Sequence, residues 1–473
     1  MQKNQNARST YHIWTLGCQM NVADTQRLAS ELEKMGLHAA DDPDDADVLV
    51  VNTCVVRQSA EDKGMGRILS LRPVKEKNPD KVVGVMGCLV GVRDPLPLRK
   101  KLPFVDVFMA PSEPTAMVNF LRDQGYETQA ALHAEAESRL LREAIQDEDE
   151  QLVLPAHERG NLISAHVPIV YGCSHACSFC IIPFRRGIER SRSVGEIVAE
   201  VRSLARQGVR EVTLLGQIVD RYGKDIPDGP DLADLLRIVH DAGVPEGIER
   251  IRFLTSHPNW MTDKLLDTVA ELPHVMPHIE VPVQAGDDDV LVRMKRGYTQ
   301  EQYRRLVEKI RARIPDVAIN TDIIVGFCGE TEAQFEQTYN LLNELKLDKV
   351  HLAKYSPRPH TLSSRSMEDD VPENEKERRR VLIDDMQAGI CAEINARQLG
   401  QIVPILVEEQ QGNKWRGRTP QNKLVFFEDD NRDYHGEVVN VEIVWTGPWS
   451  MQGRLPGSGA QPKPTEIIEL TAY

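Results

Sequence analysis

Cysteine is scarce in this sequence, and no long apolar run occurs in it. Eight of the 473 residues are cysteine, which is too few for the disulfide scaffold of a small secreted protein. No apolar segment approaches the length that spans a bilayer, and the polar first ten residues contain no signal-peptide core. We therefore expect a cytoplasmic protein with no membrane segment, in which clustered thiols serve a metal or a reaction.

Positive charge is also in deficit, since 57 lysines and arginines face 72 acidic residues and the net charge is −15. Such a balance argues against a nucleic-acid partner that is recognised by overall charge. However, four arginines crowd together opposed only by Glu189, namely Arg185, Arg186, Arg190 and Arg192. A local basic rim of this kind can hold phosphates even on an acidic protein.

Three of the cysteines lie in one short segment, Cys173, Cys177 and Cys180, directly after an apolar run. Soft thiolates at this density usually hold zinc or an iron–sulfur cluster. A four-iron cluster with three protein thiolates keeps one iron open, where a reactant can bind. The spacing alone also allows a zinc knuckle with His175 as fourth ligand, or chance clustering.

Residues 11–125 alternate between strand-like and helix-like patterns, which predicts a doubly wound parallel α/β sheet. Cys18, Cys54 and Cys88 each follow a predicted strand, and ligands of such sheets bind beyond the carboxyl ends of the strands. The three thiols are thus expected to converge at one edge, the alternative being three ordinary buried cysteines.

From residue 161 the alternation continues for six units, which predicts an incomplete (β/α)6 barrel with its chemistry at the carboxyl ends of the strands. The predicted strands are His166–Cys173, Val209–Gly216, Arg250–Ser256, His278–Gln284, Val317–Phe327 and Lys349–Tyr355. Cys173 ends the first of them, so the cysteine motif lies on the expected loop.

The remaining segments connect or follow these two units. The acidic stretch 126–160 is interpreted as a linker with some helix, and a long helix is predicted from Lys376 to about Leu399. Short strands then predict a small antiparallel β-barrel, at Ile402–Val407, Leu424–Phe427, Glu437–Val444 and Glu466–Leu470. The predicted domains are 9–126, 159–396 and 397–469.

Several motifs in order resemble one family, the radical S-adenosylmethionine (SAM) methylthiotransferases, and within it the MiaB-type tRNA enzymes. They include Thr15-Leu16-Gly17-Cys18-Gln19-Met20-Asn21, Asn52-Thr53-Cys54, Gly87-Cys88, Tyr171-Gly172-Cys173, Val281-Pro282-Val283-Gln284 and Thr321-Asp322-Ile323-Ile324-Val325-Gly326-Phe327. The tail, with Gly417-Arg418-Thr419, resembles the TRAM domain by which such enzymes grip RNA.

The resemblance implies two [4Fe-4S] clusters and SAM. Cys173, Cys177 and Cys180 would hold the cluster that cleaves SAM and would be the catalytic residues. Cys18, Cys54 and Cys88 would hold an auxiliary cluster that carries the sulfur. The implied reaction places a methylthio group on C2 of the N6-isopentenyladenosine beside the anticodon. Radical chemistry of this kind must come from the cofactor, because an unactivated aromatic C–H offers no acidic proton.

The resemblance also implies partners and further site residues. The partners would be the tRNA anticodon stem-loop, an electron donor and a sulfur or cluster donor protein, and we expect a monomer. SAM would contact Phe179, Gly216, Gln217, Gln284 and Arg296, the last placed on a helix and pairing with the SAM carboxylate. RNA would contact Arg185, Arg186 and Arg418. Trp415, Phe426 or Phe427 would stack on bases, although a place in the barrel core is favoured for the two phenylalanines.

The sequence departs from the family pattern at a few positions. Glu280 stands where histidine is usual, Cys328 and Ser193 each replace a proline, and the segment 401–473 is acidic. Asp322 is equally well explained as a structural acid, and Cys328 and Cys391 are interpreted as structural cysteines. Rival functions are the same chemistry on threonylcarbamoyladenosine in tRNA or on a ribosomal-protein aspartate, or a non-catalytic zinc-stabilised RNA-binding module.

Overall fold

A computed structural model describes residues 10–93, 95–126 and 152–457. Most of the predicted linker and the predicted strand Glu466–Leu470 lie outside the described residues. The described helices and strands group along the chain into an amino-terminal sheet domain, a central barrel and a carboxy-terminal barrel. None of the described helices combines the length and the apolar character that crossing a bilayer requires.

The amino-terminal domain is a parallel sheet with the strand order β2-β1-β3-β4-β5. Its strands are β1 (Thr10–Thr15), β2 (His38–Ala39), β3 (Val48–Thr53), β4 (Val82–Gly87) and β5 (Val107–Met109). Its helices are α1 (Gln19–Lys34), α2 (Gln58–Ser70), α3 (Arg72–Lys77), α4 (Leu96–Lys101) and α5 (Thr115–Asp123).

Strand β3 shows why this sheet is buried on both sides. Val48 and Val50 belong to the apolar cluster beneath α1 and α5, whereas Leu49 and Val51 belong to the cluster beneath α2. The sequence of a central parallel strand is therefore a continuous apolar run, because helices cover both faces of a doubly wound sheet. The predicted strand–helix alternation is confirmed.

The central barrel has six parallel strands with helices on the outside. Its strands are β6 (Ser164–Pro168), β9 (Glu211–Leu215), β10 (Arg250–Leu254), β11 (His278–Glu280), β12 (Ala318–Val325) and β13 (Lys349–Lys354). A short hairpin, β7 (Val170–Tyr171) with β8 (Arg190–Ser191), follows the first strand. Its helices are α6 (Ile182–Arg186), α7 (Val194–Arg206), α8 (Leu232–Gly243), α9 (Asp263–Glu271), α10 (Asp288–Arg293), α11 (Gln300–Arg313), α12 (Glu332–Leu345), α13 (Leu362–Ser366) and α14 (Glu373–Ala396).

The barrel strands form two three-stranded sheets that meet between β10 and β11. A parallel bridge joins Ile251 to Val275, and the Ser256 amide donates to the Glu280 carbonyl at 3.0 Å. In the part of the chain that the structure describes, β13 does not pair with β6, so the barrel is open, as predicted. Helix starts are fixed locally, since Ser193 caps α7 in a capping box with Glu196.

The carboxy-terminal barrel is closed, with the order β14-β15-β16-β18-β17. Its strands are β14 (Ile402–Gln411), β15 (Lys414–Arg418), β16 (Leu424–Glu428), β17 (Val438–Thr446) and β18 (Met451–Arg454). Its pairs are antiparallel except β16 with β18, which is parallel. The sequence pattern did not predict β15 or β18, because both are short and polar.

Two buried arginines of β10 dock the carboxy-terminal barrel on the central one. Arg250 donates to the carbonyls of Arg418 and Pro404, at 2.6 and 3.3 Å. Arg252 donates to the carbonyls of Pro420 and Thr419, at 2.8 and 3.1 Å. On the opposite side, Glu200 of α7 pairs with Arg27 of α1 at 2.6 Å and so joins the barrel to the amino-terminal domain.

We predict that Arg252→Met destabilises the protein by about 3–5 kcal/mol, because it leaves Glu211 as an uncompensated buried charge. Arg252 Nε lies 2.8 Å from Glu211 Oε2, and both side chains are less than a tenth exposed. Thermal unfolding measures the change. The control is Arg237→Met, which breaks the exposed Arg237–Glu271 pair and should cost under about 1 kcal/mol. Equal losses from the two variants would contradict the prediction.

Candidate active site

The first cysteine triad, Cys173, Cys177 and Cys180, lies on the loop that follows β7. Gly172 precedes it with φ +69°, and a Cβ there would meet the Ile188 carbonyl at 2.1 Å, so only glycine fits. The Cys173 amide then donates to the Gly187 carbonyl at 3.1 Å. The backbone is thereby turned so that Cys173 enters the buried end of the barrel.

Ser178 anchors the middle of this loop between two other barrel loops. Its amide donates to the Met294 carbonyl at 3.1 Å, and its hydroxyl donates to the Arg293 carbonyl at 2.7 Å. Its own carbonyl accepts from the Ser363 amide at 2.9 Å. The fully buried Ser178 thus fixes its neighbour Cys177 and the nearby Cys180.

Arg296 contacts the first triad directly. Its Nη1 lies 3.2 Å from Cys177 Sγ, while Nε donates to the Tyr298 hydroxyl at 2.8 Å and Nη2 to the Pro282 carbonyl at 3.0 Å. The prediction that Arg296 lies on a helix is wrong. Helix α10 ends at Arg293 because the backbone becomes left-handed at Lys295 and Gly297.

A group of aromatic side chains lies beside Cys173 and contains unused polar atoms. The rings of His175 and His257 make an edge contact at 4.7 Å, and Trp260 packs on both. The Nε2 atoms of both histidines are buried without a hydrogen-bond partner. Buried polar atoms are almost always paired, so these two leave a place for a bound polar group.

The second triad, Cys18, Cys54 and Cys88, brings together three strand ends of the amino-terminal sheet, as predicted. Cys54 and Cys88 are buried directly after β3 and β4, and Cys18 occupies the N-cap of α1. Two glycines allow the close approach. A Cβ on Gly17 would lie 2.7 Å from Cys54 Cβ, and one on Gly87 would lie 2.5 Å from the Thr53 carbonyl.

Two asparagines, Asn21 and Asn52, form a hydrogen-bond network beside the second triad. Asn21 Nδ2 donates to Asn52 Oδ1 at 2.8 Å and to the Thr53 carbonyl at 2.9 Å, while Asn52 Nδ2 donates back to the Asn21 carbonyl at 2.8 Å. Both side chains are fully buried. Cys18 Sγ lies 3.3 Å from Asn21 Oδ1, so this network fixes α1 and β3 relative to one another at the triad.

Burial makes four of the six thiols harder to ionise, because it raises the pKa values of Cys54, Cys88, Cys173 and Cys180. Burial raises the pKa of Cys88 and of Cys180 to about 12 and that of Cys173 to about 11. The neighbouring thiols of its own triad raise the pKa of Cys88 and that of Cys180 further. A bound cation is the usual way to stabilise several thiolates at one place.

The described residues contain no group of three or more His, Cys, Asp or Glu side chains placed to hold a single metal ion. A cluster of several irons is larger than a single metal ion, so its cysteine ligands surround a larger volume. Three thiols on one loop, or at one edge of a sheet, are suited to such a cluster.

Arg186 corrects the prediction of a basic rim for RNA. Its side chain is 2% exposed and its Nη2 lies 3.1 Å from the fully buried Asp24 Oδ2. The prediction that Arg186 contacts phosphates is wrong on this geometry, since the guanidinium points into the protein. Arg185 remains half-exposed, with Nη1 3.4 Å from the Leu89 carbonyl.

Comparisons with known proteins agree with this arrangement. Family models match at residues 10–110 ("Uncharacterized protein family UPF0004"), 167–342 ("Radical SAM superfamily") and 396–455 ("TRAM domain"). A protein of Roseiflexus sp. (strain RS-1) is 48% identical over 453 residues, which are 95% of this chain and 90% of that protein. One of Herpetosiphon aurantiacus is 44% identical over 454 residues, 95% and 98% of the two chains. Both are named tRNA-2-methylthio-N(6)-dimethylallyladenosine synthase.

This chain belongs to that family. The fold is also that of a solved radical SAM methyltransferase, TsrM of Kitasatospora setae, with a TM-score of 0.53 at 15% identity over 76% of this chain and 74% of that one. Membership of the radical SAM superfamily implies SAM and a [4Fe-4S] cluster.

The residues predicted to contact SAM lie at the same end of the barrel as the first cysteine triad. Gly216 and Gln217 follow β9, and a Cβ on Gly216 would lie 3.3 Å from Val170 Cβ. Gln284 is buried with φ +74° and bridges to Ile323. Phe179 makes an edge contact with Phe327 at 6.4 Å, which places its ring on the barrel core.

Further inside the barrel, a carboxyl pair occupies the inner face of β11 and β12. Glu280 pairs in register with Asn320, two residues before Asp322. Burial, reinforced by the Asp322 carboxylate, raises the pKa of Glu280 to about 7. His351 Nε2 lies 3.7 Å from Glu280 Oε2. Burial and Lys349 lower the pKa of His351 to about 4, so this contact is not an ion pair at neutral pH.

We predict that Glu280→Gln makes the protein more stable at pH 8 and leaves it unchanged near pH 4. The carboxyl ionises near 4.5 when unfolded and near 7 when folded, so stability falls as pH rises between these values. The full difference is about 3 kcal/mol, at about 1.4 kcal/mol for each pKa unit. Unfolding midpoints from pH 4 to 8 measure it, with the exposed Glu271→Gln as control. A gain that does not change with pH would refute this explanation.

The other predicted residues are distributed as follows. Trp415 and Phe427 belong to the carboxy-terminal barrel core. The suggestion that Trp415 stacks on bases is therefore wrong, whereas the core position favoured for Phe427 is confirmed, and Phe426 is half-buried. Two further aromatic residues were not identified from the sequence as candidates for RNA contact. They are Trp445 and Trp449, whose side chains are 46% and 55% exposed. Cys328 and Cys391 are buried away from other thiols; Cys391 Sγ donates to the Asp348 carbonyl at 3.2 Å.

Proposed function

We propose that this protein is a tRNA methylthiotransferase that places a methylthio group on C2 of N6-isopentenyladenosine beside the anticodon. The observation that carries the proposal is the pairing of two cysteine triads across one domain interface. Ile181, directly after Cys180 of the first triad, belongs to the same buried apolar cluster as Cys88 of the second, and Arg186 of the helix that follows pairs with Asp24 of α1 at 3.1 Å. A single substrate could therefore reach both. The names of the full-length relatives support the same activity.

The first triad would hold the [4Fe-4S] cluster that the superfamily implies. When bound, this cluster supplies the electron that cleaves SAM, a step that no side chain can perform. Arg296 and Tyr298, both buried, hold a positive charge and a hydroxyl at Cys177. Ser178 keeps the loop fixed, and the packed ring of Phe179 helps to exclude water.

A second [4Fe-4S] cluster at Cys18, Cys54 and Cys88 is part of the proposal. Three thiols at one sheet edge, of which Cys54 and Cys88 are buried and Cys18 is exposed, suit such a cluster. A site with three thiolates leaves one iron open to the sulfur that is transferred. A sulfur or cluster donor protein and an electron donor would supply what this chain lacks.

SAM is proposed to lie between β9, β11 and the cluster loop. Gly216 and Gln217 would offer backbone groups at the end of β9, and Gln284, which is buried four residues beyond β11, would offer its side-chain amide. Arg296 already uses three of its donors on Cys177, Tyr298 and Pro282. Its two remaining N–H groups could still meet the SAM carboxylate.

The tRNA anticodon stem-loop is proposed to contact the half-exposed Arg185 and the carboxy-terminal barrel. Arg418 is about a third exposed and paired with Glu408 at 2.9 Å, so phosphate would compete with that carboxylate. The exposed Trp445 and Trp449 add aromatic surface on which unpaired bases can stack. We further propose a monomeric, cytoplasmic enzyme.

An anaerobic activity assay tests the function. The protein is first reconstituted with iron and sulfide, and SAM, a reductant and tRNA are then added. Mass spectrometry of the nucleosides should show methylthio-isopentenyladenosine from isopentenylated tRNA. Product from tRNA carrying threonylcarbamoyladenosine, or from a ribosomal protein instead, would keep the chemistry and overturn the substrate. Zinc without iron, and no product, would leave only an RNA-binding module.

A further inference from the structure

His257 is a buried histidine whose position after β10 is fixed by its own backbone. The residue is 1% exposed. Its amide donates to both carboxylate oxygens of the buried Asp220, at 3.1 and 3.2 Å, and its carbonyl accepts from the Trp260 amide at 2.9 Å. Because both backbone groups are bonded, the ring projects from a fixed place.

One further contact determines the tautomer of the His257 ring. The Asn259 amide donates to Nδ1 at 3.3 Å, so Nδ1 carries no proton and the neutral ring carries its proton on Nε2. This Nε2–H group is buried and has no hydrogen-bond partner among the residues that the structure describes. Buried donors are almost always paired, so we expect an acceptor that is not part of those residues.

Two aromatic rings place His257 beside Cys173. His175, two residues after Cys173 on the same loop, makes an edge contact with the His257 ring, with the ring centroids 4.7 Å apart. Trp260 lies 4.6 Å from the His257 ring and packs on the apolar cluster that contains Cys173. His257 is thus connected to the first triad through two separate ring contacts.

A third ring connects His257 to Cys177. The ring centroids of His257 and Tyr298 are 5.6 Å apart. The Tyr298 hydroxyl accepts from Arg296, whose Nη1 lies 3.2 Å from Cys177 Sγ. The side chains around the first triad therefore include one donor that already meets a sulfur atom. They include a second, on His257, that meets no described residue.

We propose that His257 Nε2 donates a hydrogen bond to a sulfur atom of the [4Fe-4S] cluster at Cys173, Cys177 and Cys180, and that this bond raises the reduction potential of the cluster. Sulfur is the acceptor that a cluster brings to a place where the described residues offer none. A donated hydrogen bond favours the reduced state, because reduction adds negative charge to the cluster. The inference rests on the proposed assignment of this cluster to the first triad.

The test uses the full chain in which Cys18, Cys54 and Cys88 are all alanine, so that only the first triad binds a cluster. After anaerobic reconstitution without SAM, this parent should hold about four irons, and paramagnetic resonance during a redox titration gives its potential. His257→Phe keeps an aromatic ring without the donor and should shift the potential negative by about 59 mV, a tenfold change for a one-electron couple. His257→Gln, whose amide is also a donor, should restore part of the shift.

His278→Phe is the matched control. His278 is equally buried, but it is the first residue of β11, at the barrel end that docks on the carboxy-terminal barrel, so its loss should leave the potential unchanged. A second measurement needs no substitution at His257. When the ring nitrogens of histidine are isotopically labelled, pulsed paramagnetic resonance of the reduced parent should show a weak nitrogen coupling, which should persist in His175→Gln.

The outcomes separate the inference from the proposed function. An unshifted potential in iron-loaded His257→Phe, or an equal shift in His278→Phe, overturns the inference and leaves the proposed function standing. A shift that occurs only after SAM is added assigns the hydrogen bond to SAM and also overturns it. If His257→Phe holds no iron, the absence of the histidine coupling in the parent overturns it instead. A parent that binds no iron overturns the first cluster, and the proposed function with it.

Discussion

Cys173→Ala is expected to lower the formation of 5′-deoxyadenosine from SAM at least ~1000-fold, equivalent to about 4 kcal/mol of activation free energy. The superfamily implies a [4Fe-4S] cluster, and Cys173→Ala leaves the first triad one thiol short of the three that would hold it. Liquid chromatography of an anaerobic reaction with dithionite and SAM measures the product.

The control for this variant is Cys391→Ala. Its thiol is buried in α14 and hydrogen-bonded to the Asp348 carbonyl, so its loss should affect stability alone. Deoxyadenosine formation in Cys173→Ala at a rate near that of the unaltered protein would contradict the assignment of this triad.

Cys54→Ala is expected to separate the two halves of the reaction. Methylthiolated tRNA should fall at least ~1000-fold, whereas deoxyadenosine should stay within about threefold of the unaltered protein. The reason is structural, since Cys54 follows β3 of the amino-terminal sheet and shares no strand or loop with Cys173. Both products are quantified in one reaction by mass spectrometry.

Cys328→Ala serves as the matched control for the second triad. It is also a buried cysteine, but its thiol faces Tyr355 in the barrel, and both products should persist. If Cys54→Ala loses deoxyadenosine as completely as Cys173→Ala does, the two triads are one functional unit and the division of roles is wrong.

The features predicted best from the sequence are those that depend on local pattern. Runs such as β3 and the helices that follow them have the period of a doubly wound sheet, and strand ends place Cys18, Cys54 and Cys88 at one edge. These inferences need only the geometry of parallel strands. The three thiols converge as that geometry requires.

Features that depend on distant partners could not be predicted in the same way. Arg186 lies among other arginines in the sequence, a pattern that is typical of surface charge. In the structure its guanidinium is buried and pairs with Asp24, which is 162 residues away in the sequence. Arg296 fits a helical pattern that ends early, because Lys295 adopts a left-handed backbone. No sequence periodicity carries information about a buried ion pair between domains.

The docking of the carboxy-terminal barrel has a consequence for how this protein can change. Arg250 and Arg252 donate to carbonyl oxygens of the barrel and not to its side chains. Every residue type offers the same carbonyl, so the amino acids at these positions of the barrel can be exchanged while the joint persists. The outer surface of this barrel, which we propose contacts RNA, is thereby free to vary in charge without loosening its attachment to the central barrel.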